Sequence, residues 1–154
     1  MAVQTQAQTV QLKRYRFTAE DFERMGEVGI LHEDDRVELI EGDVVEMSPI
    51  GSPHAACVIR LTAGVSSSSG DILVSVQNPI RINSQTIPQP DLALLRSRAD
   101  AYETGHPTPA DVLLVIEVAD STLATDRAVK LRLYAGAEIA ESWLVDINGG
   151  AVER

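Results

Sequence analysis

The stretch DVLLVIEVA at residues 111–119 decides the fold class, because it is apolar almost throughout and carries one charged residue in its interior, Glu117. The shorter stretch DLALL at residues 91–95 has the same character after its first residue, Asp91. Strands that are apolar on both faces lie in the middle of a sheet that other elements cover on both sides. We therefore predict an α/β (α+β) fold whose sheet is covered on both faces.

Further strands and two hairpins are predicted on either side of these segments. The strand candidates are ILVSVQ at residues 72–77, a short alternation at Ile80 and Ile82, and Trp143–Val145. Gly42-Asp43 separates the segments RVELIE and VVEM, and Asn148-Gly149-Gly150 follows the last strand candidate. Glycine supplies the positive φ that tight hairpin turns need, so both places predict a β-hairpin.

Three helices are predicted around the sheet. Thr18 and Asp21 form a capping-box pattern at the start of a short helix that we expect to end at Gly26, outside the core sheet. Ser52-Pro53 supplies an N-cap and a first-turn proline for a long helix. A second long helix is predicted from about Thr125 to Ala135. Its cap candidates are Ser121, Thr122 and Thr125, and its expected core-facing residues are Ala128, Val129, Leu133 and Tyr134.

The domain organisation is predicted to be simple. Residues 1–14 are polar and are interpreted as a flexible N-terminal tail, and residues 15–154 as a single domain. The run SSSSG at residues 66–70 is too short for a linker, since apolar segments resume on both sides of it. The chain ends at Arg154, soon after the second hairpin turn, so we expect that a C-terminal piece is missing.

The composition argues against some classes of function. The 23 acidic and 13 basic residues give a net charge of −10, which repels polyanions at long range. A protein that coats DNA is disfavoured, whereas an enzyme is not, because a bound divalent cation offsets catalytic carboxylates. Cys57 is the single cysteine, which favours a reducing, cytoplasmic setting. No apolar run approaches the about 20 residues of a membrane span.

Asp91 and Glu117 are the first candidates for a functional site, since a charge inside a buried strand is costly unless it has a partner or a function. If their strands are neighbours, both carboxylates can reach one metal ion, and Mg²⁺ prefers one or two carboxylates together with waters and phosphate oxygens. Two alternatives stay open at this point. Asp91 could be an ordinary strand-entry residue after Pro90, and Glu117 could be half of a buried salt bridge.

Lys130 and Glu38 are further candidates. Lys130 stands four residues after Asp126, a spacing that ordinarily means a surface ion pair. Near a metal, the same lysine could orient an attacking water or stabilise charge that develops on a phosphate. Glu38 lies between Val37 and Leu39, and the pattern alone favours a solvent-facing hairpin residue.

The remaining motifs are weak or absent. His54, near the start of the first long helix, could touch a phosphate or carry a proton, but a lone histidine beside a cap is more often only partly buried. The sequence has no glycine-rich phosphate loop, no G-x-S-x-G elbow and no Cys/His nucleophile pair. The common nucleotide-binding and acyl-transfer functions are therefore excluded.

Several pieces of sequence recur in a known order. They are ELIEGDVVEMSPIGSPH, PQPDLALL, VIEVADST, the D-x-x-x-K-x-x-x-Y run of Asp126, Lys130 and Tyr134, and ESWLVD. Each piece is unspecific by itself, but their order and spacing are specific and extend from about Tyr15 to Val152. In this respect the chain resembles the Uma-two (Uma2) family of restriction-endonuclease-like proteins in the PD-(D/E)xK nuclease superfamily.

The resemblance implies a restriction-endonuclease-like fold, in which helices flank a mixed β-sheet. It also implies a metal-dependent DNA endonuclease that hydrolyses phosphodiester bonds with a metal-activated water. It implies Asp91 and Glu117 as metal ligands, Lys130 as the catalytic lysine and Glu38 as an accessory acid, with Mg²⁺, or else Mn²⁺, as cofactor. The formal motif of the superfamily has its lysine two residues after the glutamate, where this chain has Ala119. We therefore expect the role to pass to Lys130 on the next helix. Members of the family often continue beyond the position of Arg154, and a missing last strand could weaken dimerisation.

An alternative hypothesis is a catalytically silent module of the same fold that binds nucleic acid or a protein partner. The joint presence of Asp91, Glu117 and Lys130 favours the enzyme, whereas the net charge of −10 favours the module. For the enzyme we expect DNA as the substrate and no membrane. A homodimer is compatible with the sequence, which does not fix the oligomeric state.

Overall fold

A computed structural model describes residues 13–32, 34–66 and 71–154. Nearly all of the predicted N-terminal tail, and most of the SSSSG run, lie outside the described residues. The centre of the fold is a five-stranded mixed sheet with the order β3-β4-β5-β6-β7. Its strands are β3 Ile72–Val76, β4 Leu92–Arg96, β5 Val112–Ala119, β6 Ser142–Asp146 and β7 Ala151–Glu153. Helices flank this sheet, so the predicted fold class is confirmed.

The central strand β5 is buried on both faces, as its sequence predicts. Ile116 and Val118 pack with Val58 of helix α2 (Ser52–Ser66) on one face. Val115 packs with Tyr134 on the other face. Residues that alternate along a strand point to opposite faces, so Glu117 shares the face of Val115 and Tyr134. This alternation places a carboxylate in the apolar core.

Strand order brings the two buried segments together. β4 and β5 are antiparallel neighbours, with Leu92 opposite Ile116, and continuing this register by one residue places Asp91 opposite Glu117. β5 and β6 are parallel, and a parallel pair needs a crossover connection, which the helical segment between them supplies. The candidate carboxylates therefore lie at the same end of the sheet.

The crossover segment differs from the predicted single α-helix. It consists of α3 Leu123–Thr125, a π-helical turn Asp126–Lys130 and α4 Leu131–Gly136. In the π turn the backbone N–H of Leu131 donates to the carbonyl of Asp126, five residues earlier. The extra residue in this turn changes which side chains face inward.

Among the predicted core-facing residues of this helix, Ala128 is wrong and Tyr134 is confirmed. Ala128 is exposed, Val129 and Leu133 are half-buried, and the fully buried positions are Lys130 and Tyr134. Of the three cap candidates, Thr122 is the N-cap. Its hydroxyl bonds to the Asp126 carboxylate at 2.5 Å.

A separate two-stranded hairpin, β1 Val37–Ile40 and β2 Asp43–Glu46, lies beside the main sheet. Its two turn residues are Glu41 and Gly42, not the predicted Gly42-Asp43, because Ile40 pairs with Asp43. Both turn residues have positive φ, 49° and 81°. A two-residue turn needs these values for its twist to match that of the two strands that it connects. Moving the turn by one residue shifts the cross-strand register by two, so Glu38 lies opposite Val45, while the side chains keep the faces that strand alternation gives them.

The short N-terminal helix packs on this hairpin. It is α1 Ala19–Glu27, and the predicted capping box between Thr18 and Asp21 is present. Ala19, Leu39 and Ile87 form a small buried cluster, so α1 lies outside the five-stranded sheet as expected.

Two further predictions can be compared with the structure. The alternation at Ile80 and Ile82 does not form a strand, since the N–H groups of both residues donate to carbonyls of the loop that follows, at Pro88 and Thr86. Asn148-Gly149-Gly150 does connect two antiparallel strands, β6 and β7. No helix among the described residues is long and apolar enough to cross a membrane.

The hairpin turn gives a first testable expectation. A Cβ added at Gly42 would lie 2.8 Å from the Cβ of Arg16, and a left-handed conformation costs an alanine about 1–2 kcal/mol. Gly42→Ala should therefore destabilise the protein by at least that amount in urea unfolding.

Gly26→Ala is the matched control for this substitution. Gly26 lies in α1 with nothing within 4 Å of an added Cβ, so alanine should stabilise the helix by about 0.5–1 kcal/mol. Effects of the same sign for both variants would contradict the turn assignment.

Candidate active site

A cavity of about 500 Å³ lies where the hairpin, the start of α2, the end of β5 and the π-helical turn meet. All four candidate residues line it. They are Glu38 on β1, Asp91 directly before β4, Glu117 on β5 and Lys130 at the end of the π turn. Residues that are up to 92 positions apart in sequence, Glu38 and Lys130, are thus brought into contact.

Lys130 is buried, with 7% of its surface exposed. Its ammonium Nζ donates to Glu38 Oε2 at 2.5 Å and lies 3.6 Å from Glu117 Oε1. The surface pair with Asp126 that this spacing ordinarily means is not formed, since Lys130 is buried with Glu38 and Glu117 and Asp126 bonds to Thr122. The burial and both ion pairs place Lys130 inside the candidate site.

Glu38 is also buried, with 7% exposed, so the interpretation as a solvent-facing hairpin residue is wrong. The loop that precedes β4 packs against this side of the hairpin and shields it. Its backbone donates to the glutamate, since the N–H of Gln89 lies 3.1 Å from Glu38 Oε2. Glu38 therefore links the hairpin to both the Lys130 ammonium and the main sheet.

Glu117 is the most strongly perturbed acid of the site. It is 5% exposed, and the Tyr134 hydroxyl donates to its Oε1 at 2.5 Å. Burial raises the pKa of Glu117 to about 7, with Lys130 acting against the rise and Asp91 adding to it. Near neutral pH this carboxyl group is accordingly poised between its protonated and ionised forms.

The pKa of Lys130 moves in the direction that keeps it charged. Burial lowers the pKa of this ammonium, but the carboxylates of Glu117 and Glu38 offset the burial and raise the pKa above its ordinary value. Glu38 is the closest partner of this ammonium and Glu117 the next, so both carboxylates contribute to holding the cation at the site.

Asp91 is held in place by three donors. Its Oδ2 accepts the backbone N–H of Val118 at 2.8 Å and lies 3.0 Å from His54 Nε2, and its Oδ1 accepts from Gln77 Nε2 at 3.3 Å. The bond to Val118 joins Asp91 to the residue that follows Glu117, so the two candidate carboxylates are close neighbours. Asp91 is more than an ordinary strand-entry residue.

Some residues of the site were not selected from the sequence. His54 was considered and set aside, and Tyr134 was expected to face the core without a role in the site, yet each bonds directly to a candidate carboxylate. Gln77 and Gln89 border apolar strands, and polar residues at such strand ends are a signal that could have identified them. Tyr134 stands four residues after Lys130, a spacing that puts both on one helix face.

The side chains that could bind a metal ion fit Mg²⁺ better than structural zinc. Among the described residues, no group of three or more His, Cys, Asp or Glu side chains is arranged to hold a metal ion, so the closed cage typical of structural zinc does not fit. Two neighbouring carboxylates that line a cavity fit Mg²⁺, which keeps several waters and needs one or two carboxylates. The high pKa of Glu117 also means that a cation would relieve an unfavourable buried charge.

Comparison with known proteins identifies the class of fold. A crystal structure described as a putative nuclease belonging to DUF820, from Anabaena variabilis ATCC 29413, is similar with a TM-score of 0.57 and 17% identity. The match covers 84% of this chain and 74% of that chain. At this identity the likeness establishes the fold, which is therefore one found among nuclease-like α/β proteins.

The family follows from the sequence itself. Residues 19–154 match the Uma2 family, described as "Putative restriction endonuclease". The chain belongs to the Uma2 family, which supports a nuclease, and the resemblance seen in the sequence is confirmed. A search among curated proteins gives no match.

The buried position of Lys130 predicts a large effect on stability. Lys130→Met leaves Glu38 and Glu117 without their cation, and breaking a buried pair by removing one partner costs about 3–5 kcal/mol. Arg132→Met is the matched control, since Arg132 lies on the same helical segment and pairs with Glu41 at the surface, where an ion pair contributes about 0–1 kcal/mol. Urea unfolding without divalent cations measures both. Similar small losses would contradict the buried placement.

Glu117 predicts a pH dependence with a definite sign. Its pKa rises from 4.5 to about 7 on folding, so its contribution to stability falls as the pH increases through that interval. The total fall is about 1.4 kcal/mol for each unit by which folding raises the pKa. Relative to the parent protein, Glu117→Gln should gain stability as the pH rises from about 5 to about 7, and the difference should level off above that pH. A difference that does not change with pH over this range would contradict this expectation.

Proposed function

We propose that this chain is a Mg²⁺-dependent DNA endonuclease in which Asp91 and Glu117 bind the metal, Lys130 is the catalytic lysine and Glu38 keeps that lysine in place. Mn²⁺ is the expected substitute ion. Membership of the Uma2 family supports the nucleolytic activity. The metal, the DNA substrate and the residue roles are proposed from the site.

One observation carries the proposal, namely the buried ammonium of Lys130 in the same cavity as Asp91 and Glu117. A lysine is almost never fully buried unless it is paired, and replacing a buried ion pair by packed apolar residues is often neutral or stabilising. Stability alone therefore gives little reason for this arrangement. A hydrolase that must stabilise negative charge on a phosphate has use for it.

The charge of the cavity supports the need for a divalent cation. Acidic side chains outnumber the Lys and Arg side chains in its lining. The basic ones are Arg36, Lys130 and Arg132, and the acidic ones are Glu38, Glu41, Asp43, Glu46, Asp91, Glu117, Asp120 and Asp126. Such a surface repels the phosphates of a nucleic acid unless a cation reduces its negative charge. When bound, Mg²⁺ supplies positive charge toward the scissile phosphate and favours ionisation of a coordinated water.

The residues of this chain have separate parts in the proposed reaction. The backbone N–H of Val118 and the ring of His54 orient Asp91. Lys130 donates a hydrogen bond to the phosphate or the attacking water, and Glu38 holds it charged. Arg36 and Arg132 at the cavity are positioned to contact phosphates that flank the cleaved bond.

A catalytically silent module remains the second candidate, favoured by the net charge of −10. The two functions differ in what a divalent cation does. In the enzyme the divalent cation binds at Asp91 and supports phosphodiester cleavage. In the module, nucleic acid or protein binding is unaffected by loss of the carboxylates.

A homodimer stays a prediction, which sedimentation of the intact protein measures directly.

Metal-dependent cleavage is the decisive prediction. With Mg²⁺ or Mn²⁺ the protein should cut plasmid DNA, and with EDTA it should not, because the acidic cavity lacks a counter-charge. Calcium should support DNA binding without cleavage. Calorimetry should detect divalent binding in the parent protein and its loss in Asp91→Asn.

Glu103→Gln is the control for Glu117→Gln in the same assays, because it removes a charge of the same type from an exposed loop position. Glu117→Gln should abolish cleavage and Glu103→Gln should leave it at the parent level. Absence of divalent binding by the parent protein at millimolar concentration would overturn the metal-dependent enzyme and favour the module.

A further inference from the structure

Tyr134 bonds to a candidate metal ligand and has no assigned role. It lies on α4 and is fully buried, and its hydroxyl donates to Glu117 Oε1 at 2.5 Å. The same oxygen is the one that faces the Lys130 ammonium, at 3.6 Å. Both of these partners of the Glu117 carboxylate therefore lie on one side of it.

The second oxygen of Glu117 is left toward the cavity. Oε2 accepts no hydrogen bond from any residue that the structure describes. Among those residues, His54 Nδ1 is the fully buried side-chain polar atom that lacks a partner. Oε2 also lacks a partner but is not such an atom, so it is not fully buried. Since Glu117 lines the cavity, this oxygen is the one available to a ligand there.

Packing explains the ring of Tyr134 but not its hydroxyl. The ring lies in an apolar cluster with Ile80, Leu95, Val115 and Ile139, where phenylalanine would fill the same space. A buried hydroxyl needs a partner to offset its loss of water. The partner in this case is a carboxylate, and the bond fixes an orientation that the side-chain torsions do not, because the last torsion of glutamate is broad.

We infer that Tyr134 is a positioning residue for metal binding, which holds Oε1 of Glu117 so that Oε2 faces the cavity and would be available to a divalent cation there. This inference rests on the proposed function. It adds that affinity for the cation depends on a hydroxyl that would not itself touch it. Partners that orient a ligating carboxylate typically change metal affinity by about 10–100-fold when they are removed.

Tyr134→Phe in the full chain tests the inference, with calorimetric titration of Mn²⁺ and Mg²⁺ as the readout. Loss of the hydroxyl should weaken binding of both ions by about 10-fold or more. Tyr102→Phe is the matched control. The hydroxyl of Tyr102 donates to the Arg96 carbonyl at 2.8 Å, and Tyr102 does not line the cavity. The control should bind both ions with the parent affinity.

Cleavage as a function of Mg²⁺ concentration separates positioning from a structural role. Positioning predicts that the half-saturating Mg²⁺ concentration of Tyr134→Phe rises by the same factor as the dissociation constant, while the rate at saturating Mg²⁺ stays within a few-fold of the parent. A structural role lowers the melting temperature and leaves the Mg²⁺ dependence where it is. Tyr134→Met, which also lacks a donor, should shift the affinity in the same direction if the phenylalanine variant does not fold.

The outcomes distinguish this inference from the proposed function. Parent-like affinity in a folded Tyr134→Phe, while the parent binds metal and cleaves DNA, overturns the role of Tyr134 alone. A parent protein that binds no divalent cation overturns both. A weakened affinity in Tyr134→Phe together with an unchanged Tyr102→Phe supports the inference.

Discussion

The structure depends on how one carboxylate is accommodated in an apolar core. Glu117 lies on the central strand, among residues that are fully buried, and an isolated charge in such a place is very costly. The cost is reduced by the Tyr134 hydroxyl and the Lys130 ammonium, and Lys130 in turn is satisfied by Glu38. The hairpin, the crossover helix and the central strand are thereby tied together through polar groups, in addition to their apolar contacts.

Much of the fold follows from local patterns, whereas the site follows from contacts that no local pattern contains. The buried strands β4 and β5, the capping box at Thr18 and the start of α2 at Ser52 were all predicted correctly. Asp91, Glu117 and Lys130 were selected as well, but the structure supplied the reason why they form one site. The environment of Glu38 could not be predicted, because it depends on Lys130, which lies 92 residues away.

Two of the errors arise where a local feature is displaced by one residue. The π turn at Asp126–Lys130 adds one residue to a helical turn, and Ala128, predicted to face the core, is exposed as a result. The hairpin turn at Glu41-Gly42 is displaced by one residue from its predicted place. Propensity and periodicity constrain the type of an element well, but they do not fix its exact register. In the helix the added residue changes which side chains face inward, whereas in the hairpin the displaced turn changes only the cross-strand partners.

The position of the lysine connects these features. On β5, Ala119 shares the face of Glu117 two residues away, and its side chain is completely buried. A lysine at that strand position would be placed by the strand alone. Lys130 instead reaches the carboxylate from the crossover segment, so its ammonium depends on the widened turn that directs it inward and on Glu38 of the hairpin. Because the cation lies on the crossover segment and not on the strand, the site depends on the packing of the strand, the crossover segment and the hairpin. A change in the structure of the hairpin would therefore also change the position of the charge beside Glu117.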